Sequence, residues 1–172
     1  MLTKSVGHLL MKLSFPAMVG MFAYSAFSLV DIFFIARLGA KALAAITLTI
    51  PIQVLISSLA SATGVGLTSL ISRTLGQGDI IFADNVAWHG LLIGIAYGLF
   101  FLMAGNQYLD QLLLLFGCNQ ETFLLCKQYL SIILKGCIFT FVPIILSSII
   151  QGEGNTFLPM LVALIGVALN VA

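Results

Sequence analysis

The sequence predicts an all-α integral membrane protein, a helical bundle with about five transmembrane helices. Hydrophobic residues make up 60% of the chain and charged residues 8%, and the mean hydropathy is +1.15. Seven lysines and arginines with six acidic residues are too few to cover a soluble domain of 172 residues. The apolar residues also form runs of the roughly 20 residues that cross a hydrocarbon layer about 30 Å thick.

Five charge-poor segments follow one another along the chain. We predict spans at 13–36, 43–72, 87–105, 129–150 and 157–172. Residues 1–12 superficially resemble the start of a signal peptide, but the next run is too long and contains Pro16 and Asp31. We therefore expect a retained first helix and one transmembrane bundle over residues 1–172.

Short connections with turn-forming residues separate several of these spans. Residues 37–41, 76–79 and 152–156 each contain glycine, which can end a helix in the left-handed conformation. Asp79, or Asn155 and Thr156, can cap the helix that follows. We expect the longer connection, 106–127, to lie at the membrane interface with its amphipathic stretch 110–116, which is too short to cross.

Small residues indicate where helices approach closely. Gly90, Gly94 and Gly98 recur every four residues, so they share one face of the third helix and favour close packing there. The three cysteines lie in or beside apolar runs and are interpreted as small buried hydrophobic residues, with a bridge between the first two left open. They are Cys118, Cys126 and Cys137.

Charge and motifs exclude two broad classes of function. A net charge of +1 without clustered lysines and arginines argues against a nucleic-acid partner. The chain has no His-Glu-x-x-His, no Gly-x-Ser-x-Gly and no paired intramembrane acids, so an enzyme is not predicted, and no catalytic residue or cofactor is expected.

Asp31 is the acidic residue inside the first apolar segment. An ionisable group deep in a bilayer costs at least about 2.5–3.5 kcal/mol, so it usually faces a protein interior or a wet cavity. There it can bind a cation or carry a proton. Lys135 is the other charge within a predicted span, and two interpretations stay open: an ion pair with Asp31, or a side chain that extends to the interface.

Several blocks of sequence, in order, resemble the amino-terminal part of the multidrug and toxic compound extrusion (MATE) family. The resemblance covers essentially the whole chain. The blocks are Leu13-Ser14-Phe15-Pro16-Ala17, Val30-Asp31, Leu38-Gly39, Ala42-Leu43-Ala44-Ala45, Pro51, the run from Gly66 to Asp79, Gln151-Gly152-Glu153-Gly154-Asn155-Thr156, Pro159-Met160 and Asn170.

The resemblance implies a twelve-helix exporter of two six-helix lobes, which expels cationic amphipathic compounds in exchange for Na⁺ or H⁺. The chain would be the incomplete amino-terminal lobe, ending inside the fifth helix, and the carboxy-terminal lobe would be missing. The resemblance also implies that the chain lies in the plasma membrane, with its amino terminus in the cytoplasm.

The family's ion-coupling residues carry over to Asp31, a possible Na⁺ ligand, and to Asn170. Helix geometry agrees with this pair, because Asp31 lies about 27 Å above residue 13 and Asn170 about 20 Å above residue 157. Gly20, Tyr24 and Ser28 precede Asp31 at helical intervals, as does Phe27, and are candidates to line the same cavity. Lys135 is a further candidate, and simple helix packing is the alternative for each.

Two other functions remain as alternatives to the exporter. A related flippase for a lipid-linked precursor would need several inward-facing arginines, whereas Arg37 and Arg73 lie at predicted helix ends. The product could also be a truncated membrane protein that transports nothing, since one incomplete lobe lacks an opposing wall. A reading frame downstream of Ala172 that encodes the missing helices would favour the exporter.

Overall fold

The computed structural model describes residues 6–171, and these fold into α-helices joined by short turns. The helices are α1 Val6–Arg37, α2 Ala40–Gly76, α3 Ile80–Leu115, α4 Gln120–Lys135, α5 Cys137–Gly152 and α6 Phe157–Val171. Ala172, the last residue of the predicted fifth span, lies outside the described residues.

The first two predicted spans correspond to α1 and α2, and both helices are long and apolar enough to cross a membrane. The same is true of Ile80–Gly105 within α3. Together α4 and α5 count as one bent span, so three or four helices among residues 6–171 are long and apolar enough to cross a membrane. The predicted fifth span is the shorter apolar helix α6, whose 15 residues extend about 21 Å.

The helix that contains the third predicted span is longer than expected. Helix α3 continues without a break through residue 106 to Leu115, so the stretch 110–116 is not a separate segment, and its location at the membrane interface stays a prediction. Its continuation buries Leu109 and Leu113, which join the main hydrophobic core. Because these residues lie one helical turn apart, one stripe of the extension packs on the bundle and stabilises the helix.

The fourth predicted span, 129–150, began too late and missed a break. Helix α4 begins at Gln120, and α4 and α5 meet at Gly136 with a bend of 45°. The Gly136 N–H still donates to the Ile132 carbonyl at 2.9 Å, but its backbone (φ −85°, ψ 1°) leaves the helical region. Glycine has the poorest helix propensity after proline, so a break is least costly there.

The predicted turn chemistry is confirmed. Gly39, Gly78 and Gly154 have φ values of 103°, 84° and 87°, the left-handed region that favours glycine. The Asp79 carboxylate accepts a hydrogen bond at 3.0 Å from the backbone N–H three residues later. The Asn155 side-chain oxygen Oδ1 accepts from the backbone N–H groups two and three residues later, at 3.1 and 3.2 Å.

The glycine face of α3 is also confirmed as a packing surface. A Cβ added at Gly98 would lie 2.8 Å from the Cα of Ile138, so the backbones of α3 and α5 are nearly in contact. Gly94 lies against Ile145 of α5, and Gly90 accommodates Leu67 of α2.

The core lies among α2, α3, α4 and α5, while α1 packs mainly on α6. Phe141 at its centre is fully buried between two aromatic neighbours, Tyr97 and Phe101. The interpretation of the cysteines as buried hydrophobic residues is confirmed. All three are buried and free, so the bridge left open between Cys118 and Cys126 is not formed.

Candidate functional site

The structure brings Asp31 and Asn170 together although 139 residues separate them in sequence. The Asn170 amide Nδ2 donates a hydrogen bond to Asp31 Oδ1 at 3.1 Å, in a partly buried position. The pair lies near the ends of α1 and α6. The same two helices also approach each other about three turns earlier, where a Cβ at Gly20 would lie 3.7 Å from the Cα of Met160. This contact fixes how α1 and α6 are aligned along their axes.

Asn170 also carries a buried acceptor without a partner. Its Oδ1 is enclosed and has no hydrogen-bond partner among the described residues. An unpartnered buried acceptor costs about 1–3 kcal/mol, so it indicates a place where a donor or a cation would be stabilised. Hard cations prefer carboxylate and amide oxygens, and both types meet here.

One polar pair on α2 escaped the sequence analysis. The Gln53 amide donates to the Thr49 hydroxyl at 3.1 Å. Thr49 and Gln53 are one helical turn apart within an apolar helix, and this pattern is the signal that could have identified them.

A cavity of about 620 Å³ separates the α1–α6 pair from α2 and α5. Gly20 and Tyr24 line it, but Asp31, whose cavity they were expected to share, does not. Ser28 does not line it, and its hydroxyl donates to the Tyr24 carbonyl at 3.3 Å within α1. Serine and methionine side chains complete much of the lining, and they are Met21 of α1, Ser57 and Ser61 of α2, Ser147 of α5 and Met160 of α6.

Lys135 lies elsewhere. It is exposed and lines a second cavity, between α3 and α4, with Asp110 and Lys127. Helix α1 does not pack on α4, and the ion pairs among residues 6–171 do not join Lys135 to Asp31. The ion-pair interpretation is therefore wrong. A depth counted along α4 does not show which neighbour a residue faces, and Lys135 faces α3 whereas Asp31 faces α6.

The described residues contain no further cluster of typical metal ligands. No three His, Cys, Asp or Glu side chains among them lie close enough together to hold a metal ion.

Comparison with known proteins decides the family. The MatE family profile matches residues 16–172, nearly the whole chain. The chain belongs to the MatE family. Two curated relatives of this MATE chain are named as transporters. The FAD transporter of Shewanella oneidensis is 27% identical over 171 residues, covering 99% of this chain and 38% of the relative. Multidrug export protein MepA of Staphylococcus aureus (strain MRSA252) is 29% identical over 163 residues, covering 94% and 36%.

Solved MATE structures share the fold. A crystal structure of MATE in the straight conformation superposes with a TM-score of 0.90 at 31% identity, covering 95% of this chain and 36% of that one. An outward-facing conformation of a multidrug resistance MATE family transporter of the MOP superfamily gives a TM-score of 0.89 at the same identity and coverage. The chain spans a little over a third of the length of these relatives, which confirms the predicted fold class as the amino-terminal part of a MATE transporter.

Proposed function

We propose that this MATE chain is part of a secondary exporter, in which Asp31 and Asn170 bind and release the coupling cation, Na⁺ or H⁺. The observation that carries the proposal is the 3.1 Å contact of a partly buried carboxylate with an amide whose own oxygen is buried and unpartnered.

An asparagine suits a site that alternates between two charge states. When Asp31 is ionised, the amide Nδ2 donates to the carboxylate, which is the geometry in the structure. When Asp31 takes up a proton, rotation of the Asn170 amide would let its Oδ1 accept from the new O–H. If Na⁺ is bound instead, the same oxygen is a second ligand beside the carboxylate. Asn170 can therefore stabilise the site in each state.

Neutralisation of Asp31 is the proposed coupling step. A cation that binds one arrangement of α1 and α6 more tightly than another shifts the populations of the two arrangements. In its ionised form Asp31 makes a charge-assisted bond, which is stronger than the bond between neutral groups. Loss of the charge therefore alters how strongly the two helices are held together at this point.

The cavity lining favours a cationic or neutral amphipathic compound as the substrate. Its volume of about 620 Å³ is within the range of small-molecule sites, and it has no charged lining residue. Tyr24 offers an aromatic face to a cation, and Met21 and Met160 offer adaptable apolar contacts. The relative from Shewanella oneidensis is named for FAD, but no basic side chain among the described residues lines this cavity to hold a phosphate. The lack of basic lining residues there also argues against the flippase.

Membrane location and orientation belong to the proposal. The chain is placed in the plasma membrane with its amino terminus in the cytoplasm, so the turn at 38–39 would face outward and the turn at 77–79 inward. Single cysteines placed at these turns should react with an impermeant maleimide from opposite sides of intact cells. Reaction of both turns from the same side would contradict the orientation.

The test of function compares Asp31→Asn with Asp84→Asn, a matched removal of one exposed carboxylate from α3. Cells that express the complete gene product are loaded with ethidium, and efflux is started by a Na⁺ gradient or by a pH gradient. Asp31→Asn should abolish the response to the coupling ion, while Asp84→Asn should retain it. Comparing the two gradients identifies the ion.

Binding of the coupling ion is measured separately from transport. The comparison also distinguishes the exporter from a truncated protein that does not transport. The purified chain should be stabilised against heat by its coupling ion, Na⁺ rather than choline or H⁺ at lowered pH. Asn170→Leu and Asp31→Asn should remove that response. Efflux that persists in Asp31→Asn would refute the coupling role. Binding without efflux by the wild-type product would favour a truncated protein that does not transport.

A further inference from the structure

The second cavity, between α3 and α4, is not used by the proposed exporter function. It has a volume of about 440 Å³, and three charged side chains line it: Asp110, Lys127 and Lys135. Asp110 and Lys127 form an ion pair, with the ammonium 2.7 and 2.8 Å from the two carboxylate oxygens. Lys135 lines the same cavity and makes no ion pair with another described residue.

One contact relates this cavity to the apolar part of α3. The charge-poor run of α3 extends to Gly105 and is followed by Gln107 and Asp110. Gly105 packs directly on Leu134, since an added Cβ would lie 2.8 Å from the Leu134 Cβ. Lys135 is the next residue, so it lies where α3 changes from apolar to polar residues. Such a change is typical of the membrane interface, where the lipid phosphates lie.

The polar residues of α4 that line the cavity form one row along the helix. Lys127, Gln128, Ser131 and Lys135 recur at spacings that place them on one helix face, and all four line the cavity. From Lys135 outward the lining offers a cation, then a hydroxyl and an amide, and then the Lys127–Asp110 ion pair. Four leucines complete the walls.

We infer that this cavity binds the headgroup of an anionic phospholipid, with the phosphate at Lys135 and a hydroxylated headgroup such as glycerol toward Gln128 and Asp110. A lysine ammonium group beside hydroxyl and amide donors forms charge-assisted hydrogen bonds with a phosphate on either side of the membrane. Two ammonium groups and one carboxylate leave the lining with a single excess positive charge, which matches one phosphodiester. The bilayer supplies this ligand at high local concentration.

Two substitutions should change the affinity in opposite directions. Lys135→Gln removes the unpaired cation and should weaken phosphatidylglycerol binding about five-fold, from the usual contribution of one lysine near a membrane surface. Asp110→Asn frees Lys127 from its partner and should strengthen binding by about the same factor. A purely structural role would weaken binding in both variants.

The assay titrates the detergent-solubilised full chain with phosphatidylglycerol or with phosphatidylcholine of the same acyl chains and counts retained lipids by native mass spectrometry. Lys41→Gln is the matched control, because Lys41 is an exposed lysine at the start of α2 and lies outside the cavity. It should leave the preference unchanged, and Lys135→Arg should retain it.

Three results would overturn the inference. One is equal retention of the two lipids by the wild-type chain. Another is a loss of retention in Lys135→Gln and Asp110→Asn alike, which would indicate damage to packing. The third is displacement of the lipid by soluble glycerol 3-phosphate at matched concentration, which would identify a site for free phosphate esters.

Discussion

The contact between α3 and α5 at Gly98 makes a prediction whose size follows from the structure. In Gly98→Ala the new Cβ would lie 2.7 Å from the Ile138 Cγ1, 2.8 Å from its Cα and 3.1 Å from its N. Carbon atoms pack best at about 3.5–4.0 Å, so the helices must separate by about 1 Å. Two of the three close atoms belong to the backbone, which cannot rotate away as a side chain would.

Two opposing effects set the magnitude. Overpacking a tight core costs about 1–3 kcal/mol, and a backbone contact places Gly98→Ala at the upper end. Alanine recovers about 1 kcal/mol of helix propensity relative to glycine. We therefore expect a net loss of about 2 kcal/mol in the free energy of unfolding.

The matched control is Gly66→Ala, because a Cβ at Gly66 of α2 meets nothing within 4 Å. Only the propensity gain applies there, so its stability should rise by up to about 1 kcal/mol. Gly94→Ala should lie between the two, since its closest neighbour is the Ile145 Cγ1 at 3.0 Å. Unfolding is followed by the loss of helical circular dichroism as SDS is added to the detergent-solubilised chain. Equal stability of Gly98→Ala and Gly66→Ala would refute the packing argument.

Two further predictions concern single side chains. Thr68→Val should cost about 1 kcal/mol in the same unfolding assay, because its hydroxyl donates to a carbonyl of α5 at 2.8 Å. Thr47→Val should cost little, since that exposed hydroxyl bonds only within its own helix, and equal losses would contradict the reasoning. Burial raises the pKa of Cys118, in the turn after α3, to about 11. Its maleimide reaction, followed by mass spectrometry, should therefore accelerate up to about pH 10, and a plateau near pH 9 would count against this.

Helix ends were predictable because their chemistry is local. Gly39, Gly78 and Gly154 adopt the left-handed turn that few other residues accept, and Asp79 and Asn155 satisfy backbone N–H groups beside them. None of this depends on distant contacts, so the sequence contains the information. The apolar runs were equally clear because lipid-facing and buried positions are both hydrophobic.

Because lipid-facing and buried positions are both apolar, the sequence does not show where a helix continues and where it breaks. In an apolar run, periodicity cannot show that Leu109 and Leu113 face a core while Leu114 faces outward. The extension of α3 depends on that tertiary contact. The break at Gly136 likewise follows from how α4 and α5 pack on α2 and α3, and other glycines, such as Gly94, remain inside a continuous helix.

The site was predictable in part. Asp31 was identified from its charge within an apolar segment, whereas Asn170 came only from the family resemblance, since a neutral amide in a helix is common. Gln53 was missed for the same reason. Lys135 was misplaced because a depth counted along a helix does not show which side of the lobe the residue faces.

The arrangement of α1 and α6 relates the proposed cation site to the cavity. These two helices pack mainly on each other, and their hydrogen bond between Asp31 and Asn170 lies about 10 Å along α1 from Tyr24, a cavity wall. A change in the charge of Asp31 therefore acts on the helix pair that forms one side of the cavity, while the tightly packed glycine contacts of α3 hold the other helices in place. In the proposed exporter, the effect of the coupling ion would not have to pass through the core to reach the cavity, because α1 carries both the Asp31 carboxylate and part of the cavity wall.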